Sequence, residues 1–220
     1  LDIVARRQLE ALDLRKGEVL YLIIDDTKVR KRGKRMKALH KVKDPATGRY
    51  FFGHTFVAAT LYAKGVTIPF RLKTFLSADW CRRENRPYRK LTDLAVECVD
   101  ALADVSPGVE VVVLFDSYYA CDKMFDACER HGFIWGTTLA ANRNVFIDGR
   151  KRKVGKHGRG IVPRAAHPVT LGKEHAGSHR RFRAVAFNVY YDRAPGEIMA
   201  AVDQALKEDP PACVAASPAP

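Results

Sequence analysis

Val19-Leu20-Tyr21-Leu22-Ile23-Ile24, followed at once by Asp25-Asp26-Thr27, is the stretch from which the fold is read. A continuous apolar, partly β-branched run that meets polar residues predicts a central strand, buried on both faces and stopping at the aspartates. Val109 to Phe115 repeats the pattern and ends in Asp116-Ser117. Between these runs, residues 49 to 62 are aromatic and β-rich, and Val66 to Phe75 follows a Lys64-Gly65 turn and can pair back as a hairpin. From Tyr88 to Asp104, the residues Leu91, Leu94, Ala95, Cys98, Val99 and Leu102 share one helical face, and Ser106-Pro107-Gly108 breaks that helix. Met124, Phe125 and Cys128 line a further helix capped by Gly132, and Phe133 to Ala140 reads as a strand. The order is β-β-β-α-β-α-β, an α/β sheet of mixed direction.

The flanks are less regular. Residues 1 to 16 can form a short amphipathic helix with Ile3, Leu9, Leu12 and Leu14 as its apolar members. Residues 141 to 182 are basic and punctuated by glycine, a hairpin with irregular chain. Phe182 to Tyr191 reads as a strand, Gly196 to Lys207 as a helix, and Pro210 to Pro220 carries no packing pattern. The expected organisation is a helical lead-in at 1–16, a core at 17–207 with a basic insertion at about 141–182, and a disordered tail at 208–220.

Composition narrows the partners. In 220 residues, 47% are hydrophobic and 29% charged, an ordinary globular balance with no run of eighteen apolar residues and no signal-peptide pattern. A cytoplasmic protein without a membrane partner is expected. Five cysteines at 81, 98, 121, 128 and 213 form no CxxC pair, so they read as reduced thiols. Against 25 acidic residues stand 38 Lys and Arg, a net charge of +13 that favours a polyanion such as nucleic acid.

In open α/β sheets ligands gather at the carboxyl ends of strands. Asp25 or Asp26 would stand beside Asp116 if the two runs are adjacent parallel strands. Carboxylates so placed repel unless a cation neutralises them, and hard oxygen ligands suit Mg2+. The bland alternative is that polar residues merely end strands. Lys28 to Lys43 carries nine Lys or Arg and no acid, including Lys28, Arg30, Lys31, Arg32, Lys34 and Arg35. A second acid-free stretch from Gly149 contains Arg150, Lys151, Arg152 and Lys153. Either is a phosphate-attracting surface or simply a solvated face. His157, His167, His175 and His179 fit no zinc spacing and read as solvent-facing, and His54 reads as a hydrogen-bonded core histidine. Tyr118 and Tyr119 could shape a site beside Asp116 or stack on a base, with packing the plainer role.

Taken in order, these segments resemble insertion-sequence transposases of the DDE superfamily, whose catalytic core is RNase H-like. Leu22 to Thr27 with Lys31-Arg32-Gly33-Lys34 is similar to the family's first-aspartate strand and basic loop. Val111 to Asp116 with Ser117-Tyr118-Tyr119 is similar to the second-aspartate strand, and Trp135 to Arg143 with the basic residues after Gly149 to the strand and hairpin that follow. The resemblance implies an endonuclease that cuts a transposon end with water and transfers the freed 3′-hydroxyl to target DNA. It further implies Mg2+, with Mn2+ as a substitute, held by three carboxylates, and a possible homodimer on double-stranded DNA in a bacterial or archaeal cell. Asp116 matches the second carboxylate. Asp25 is the choice for the first, with Asp26 on the opposite face of a regular strand. The third, a helical glutamate in a Tyr-x-x-Arg-x-x-x-Glu context, departs from the pattern: Tyr190, Arg193 and Glu197 have the spacing, but Pro195 and Gly196 precede the glutamate. The expectation is a truncated or frameshifted transposase that has also lost its DNA-end-binding domain, either a weak enzyme or a remnant that holds DNA without cutting it. Another RNase H-like nuclease is the further alternative.

Overall fold

Strand β1 (Val19–Arg30) does not stop at Asp25-Asp26-Thr27 but runs on to Arg30. The cause is its partner. β3 (Tyr50–Ala63) is long enough to pair antiparallel along this whole length, from Tyr21 opposite Tyr62, through Asp25 opposite Ala58, to Arg30 opposite Gly53. Nor is β1 buried on both faces: Leu20, Leu22 and Ile24 are buried, whereas Ile23 is 41% exposed. It is a strand with one covered and one open face, as antiparallel pairing allows.

The computed structural model describes residues 2–33, 36–44, 46–104, 108–140, 142–147, 150–156, 167–171, 180–190, 197–205 and 212–216. The chain divides into two compact units, Leu1–Leu114 and Phe115–Pro220. The first contains α1 (Asp2–Leu12), β1, β2 (His40–Lys43), β3, β4 (Val66–Thr74), α2 (Ala78–Arg83), α3 (Leu91–Ala103) and β5 (Glu110–Phe115). Its strands lie in the order β2-β3-β1-β5. β4 shares an edge of β3 with β2, taking residues 56–63 where β2 takes 50–53. Gly53 is flanked on both sides, by Arg30 and by His40. A Cβ there would run into the carbonyl oxygen of Val29, so only glycine permits this approach. At the β3–β4 turn, Lys64 and Gly65 have φ of 49° and 78°, the left-handed pair of a tight hairpin.

The covered side of this sheet is built from Leu20, Leu22 and Ile24 with Val57, Ala59, Leu61, Ile68 and Phe70. Helix α3 packs on β3 and buries Leu94, Ala95, Cys98, Val99 and Leu102, the face its periodicity predicts. Asp93 accepts the Lys90 N–H at 2.8 Å and closes its first turn. Burial pushes the Cys98 thiol up to about 11. Cys81, Cys98, Cys121 and Cys128 are all free thiols. α1 is present, but Ala5 and Leu9 are its buried members, whereas Ile3 is exposed.

In the second unit come α4 (Asp122–Arg130), β6 (Ile134–Leu139), β7 (Asn144–Ile147), β8 (Arg150–Lys153), β9 (His167–Leu171), β10 (Arg180–Tyr190), β11 (Glu197–Ala205) and β12 (Ala212–Ala216). Its strand order is β6-β12-β11-β10-β7-β8, with β9 also on β10. The expected hairpin is β7–β8. Glu197–Ala205 is a strand and not the expected helix. Six of its nine residues, three Ala with Glu, Met and Gln, favour helix, but antiparallel pairing with β10 from Tyr190↔Glu197 to Phe182↔Ala205 overrides that weak preference. Where a patternless tail is expected, Ala212–Ala216 pairs with both β11 and β6. Small residues without an apolar rhythm can still fill a gap between two strand edges, because ladder hydrogen bonds need only backbone. The mixed sheet flanked by helices is the architecture expected of an RNase H-like fold.

Trp135, 1% exposed, stacks on Phe125 with ring centroids 4.3 Å apart, and Phe115 closes the cluster. Trp135→Ala is expected to cost about 3–5 kcal/mol, measured as a lowered midpoint in chemical denaturation.

Candidate active site and basic surfaces

The two neighbouring aspartates of β1 face opposite ways, as the pleat requires. Asp26 lies on the covered side, its side chain 13% exposed, with the Lys28 Nζ 2.9 Å from its Oδ2. Asp25 lies on the open face with Ile23, and its Oδ1 accepts the Asp26 N–H at 2.7 Å. One carboxylate is thus neutralised by a lysine and the other is presented to solvent. Among the described residues Asp25 forms no ion pair.

Asp116 follows directly on β5 and is exposed. Its Oδ1 accepts the Tyr118 N–H at 2.9 Å, an Asx turn that fixes the carboxylate, and its carbonyl accepts the Tyr119 N–H at 3.1 Å. Behind it the buried Thr137 of β6 donates its hydroxyl to the same carbonyl at 3.1 Å. No sequence pattern singles out Thr137; its role emerges only because β6 ends beside the turn. Tyr119 is fully buried, which is packing, whereas Tyr118 is 55% exposed and its ring meets that of Tyr119 edge-on.

Glu197 begins β11, opposite Tyr190 in the hairpin. Tyr190 ends β10 and Glu197 begins β11, so neither lies in a helix, and Arg193 lies outside the described residues. Among the described residues no three His, Cys, Asp or Glu side chains gather closely enough to hold a metal ion. Asp25 and Asp116 each offer hard carboxylate oxygen, the chemistry Mg2+ takes, that no cationic side chain neutralises among the described residues.

Lys28 and Arg30 occupy the far half of β1, both exposed, and Lys31 and Arg32 continue from it. Lys34 and Arg35 lie outside the described residues. Lys28 is committed to Asp26, so its charge is the least available of the group. Arg150, Lys151, Arg152 and Lys153 form β8, all exposed, at one end of its sheet order. Charged side chains on an edge strand also discourage pairing with other chains, which is the purely structural role for this group. His54 is half-buried, and its Nε2 lies 2.9 Å from the Lys37 carbonyl, so it is hydrogen-bonded at the sheet margin and not within the core. His40, which sequence reading passes over, sets its Nε2 3.0 Å from the Thr55 hydroxyl, and burial holds its pKa below the ordinary value. His157, His175 and His179 fall outside the described residues.

The α/β sheet thus presents two exposed aspartates, Asp25 within β1 and Asp116 in the turn after β5. The chain belongs to the DDE superfamily endonuclease family, whose model matches residues 2–193. No curated protein matches it. Among solved structures it is similar to the cryo-EM structure of a piggyBac transposase synaptic complex with hairpin DNA, at 13% identity and a TM-score of 0.48, over 90% of this chain and 33% of that one. The chain therefore spans about a third of the length of that transposase. Among the described residues no helix is long and apolar enough to cross a membrane.

Proposed function

We propose that this chain is a DDE transposase core that cuts DNA at a transposon end and joins the freed 3′-hydroxyl to target DNA, acting as a homodimer on paired ends. Family membership over residues 2–193 carries the proposal, and Asp25 and Asp116 are read as the family's first two carboxylates. These two would hold the divalent ion, Mg2+ or in its place Mn2+, which when bound stabilises charge on the attacking and leaving oxygens at phosphorus. Asp25 is preferred to Asp26 because a carboxylate already paired with Lys28 has less to offer a cation. The Asx turn and Thr137 hold Asp116 in a fixed pose, which lowers the entropy lost on binding. Arg30, Lys31, Arg32, Lys34 and Arg35, with Lys28 as a weaker member, and Arg150 to Lys153 take phosphates of duplex DNA.

A second reading, a protein that holds DNA without cutting it, is favoured by one observation: Glu197 begins a strand where the third carboxylate needs a helix. Nicking of supercoiled plasmid with Mn2+ separates the two. The enzyme reading expects slow nicking, at about a thousandth of a complete site, because several kcal/mol of metal stabilisation are missing. That activity should vanish in Asp25→Ala and survive in Asp126→Ala, a change on the outer side of α4. DNA binding with no nicking above background leaves the binding reading in place.

A further inference from the structure

Between the end of β1, residues 31–33 and 36–39, the start of β3 and helix α2 lies a pocket of about 830 Å3. Five cations, Arg30, Lys31, Arg32, Lys37 and Arg83, and the aromatic rings of Phe52 and Trp80 are among its lining residues, and among the described residues no carboxylate is. Its size is that of a site enclosing a small organic group, about 300–1,000 Å3, and not that of a flat phosphate track. Residues 31–33 and 36–39 are pinned at two points: the Lys31 N–H donates to the Phe52 carbonyl at 2.9 Å, and the Lys37 carbonyl lies 2.9 Å from His54 Nε2.

Phe52 is the telling residue. It is 62% exposed, and among the described residues no ring or cation covers it, whereas Arg86 lies 5.5 Å from the Trp80 ring centroid. Nor does it stand alone: Met36 and Tyr50, also in the lining, are 47% and 59% exposed, so the pocket groups exposed apolar side chains with cations, a combination that suits a flat, anionic occupant. In duplex DNA the base faces are stacked on one another and cannot serve. An unpaired nucleotide can, its base against the ring and its phosphates on the lysines and arginines.

We propose that this pocket binds an unpaired nucleotide of a DNA strand, stacked on Phe52 and Trp80 and held through its phosphates by Lys31, Arg32, Lys37 and Arg83. The proposal rests on the DNA-binding reading above and adds a preference for single-stranded ends. The test is fluorescence anisotropy with a blunt duplex and the same duplex carrying a short oligothymidylate tail. The tailed form should bind about tenfold more tightly, the effect of a single stacked base. Phe52→Ala should remove that advantage and leave blunt-duplex affinity unchanged; Phe52→Trp, which keeps a ring, should retain it. Phe52 is largely exposed, so neither change empties the core. Free oligothymidylate should also quench the tryptophan fluorescence of the unaltered chain but not of Trp80→Phe, since the chain's other tryptophan, Trp135, is buried. Equal affinity for tailed and blunt duplex overturns the pocket alone. So does a Phe52→Ala loss that is the same for both. Failure to bind either DNA overturns the DNA-binding reading and this proposal with it.

Discussion

Raising salt from about 50 to 200 mM is expected to cut the affinity of this chain for duplex DNA by about a thousandfold, the loss that some six phosphate contacts produce through counterion uptake. The cations are in place for that number. Arg30, Lys31 and Arg32 leave the end of β1, and Arg150 to Lys153 line one edge strand, all but Lys31 exposed. Such contacts carry no base information, so the affinity should hardly depend on sequence. Replacing Lys31, Arg32, Lys34 and Arg35 together by Gln should flatten the log–log slope by nearly one for each phosphate that is no longer neutralised. Affinity unmoved across this salt range would refute the electrostatic account.

The other large effect is expected at Asp116. Calorimetric titration with Mn2+ should show binding to the unaltered chain and a loss of about a hundredfold or more in Asp116→Ala. Merely disturbing a residue behind a metal ligand typically costs about 10–100-fold, and removing a ligand costs more. Thr137→Val keeps the carboxylate but frees the turn behind it, and should fall between the two. Asp25→Ala should match Asp116→Ala, whereas Asp26→Ala should leave Mn2+ affinity near that of the unaltered chain. Equal Mn2+ affinity in the unaltered chain and Asp116→Ala would remove this residue from the metal-binding set.

How much of this was legible in the sequence differs from element to element, for physical reasons. Helix α3 was readable because its buried face is written in local periodicity. The presence of β1 was readable from its apolar run; its end was not, because strand length is set by the partner, and β3 supplies pairing out to Arg30. Glu197–Ala205 misleads for the same reason: local preference says helix, and a neighbour 7 to 23 residues away in sequence says strand. Asp25 and Asp116 could be picked out as candidates because charge at the end of an apolar run is a local signal. The pocket around Phe52 could not, since α2 brings Trp80 and Arg83 from far along the chain to residues 31–33 and 36–39.

Which of the two β1 carboxylates meets solvent is decided at neither of them. Leu20, Leu22 and Ile24 occupy the covered face because they are the apolar side chains at even-numbered positions, and Asp26 inherits that face by counting. Asp25, being odd, is turned outward. The assignment is a matter of parity, fixed by aliphatic packing one to five residues upstream. One residue inserted between Ile24 and Asp25 would leave the core set in place and make the two aspartates trade sides, turning Asp26 outward together with its Lys28 partner and carrying Asp25 to the covered face without a lysine.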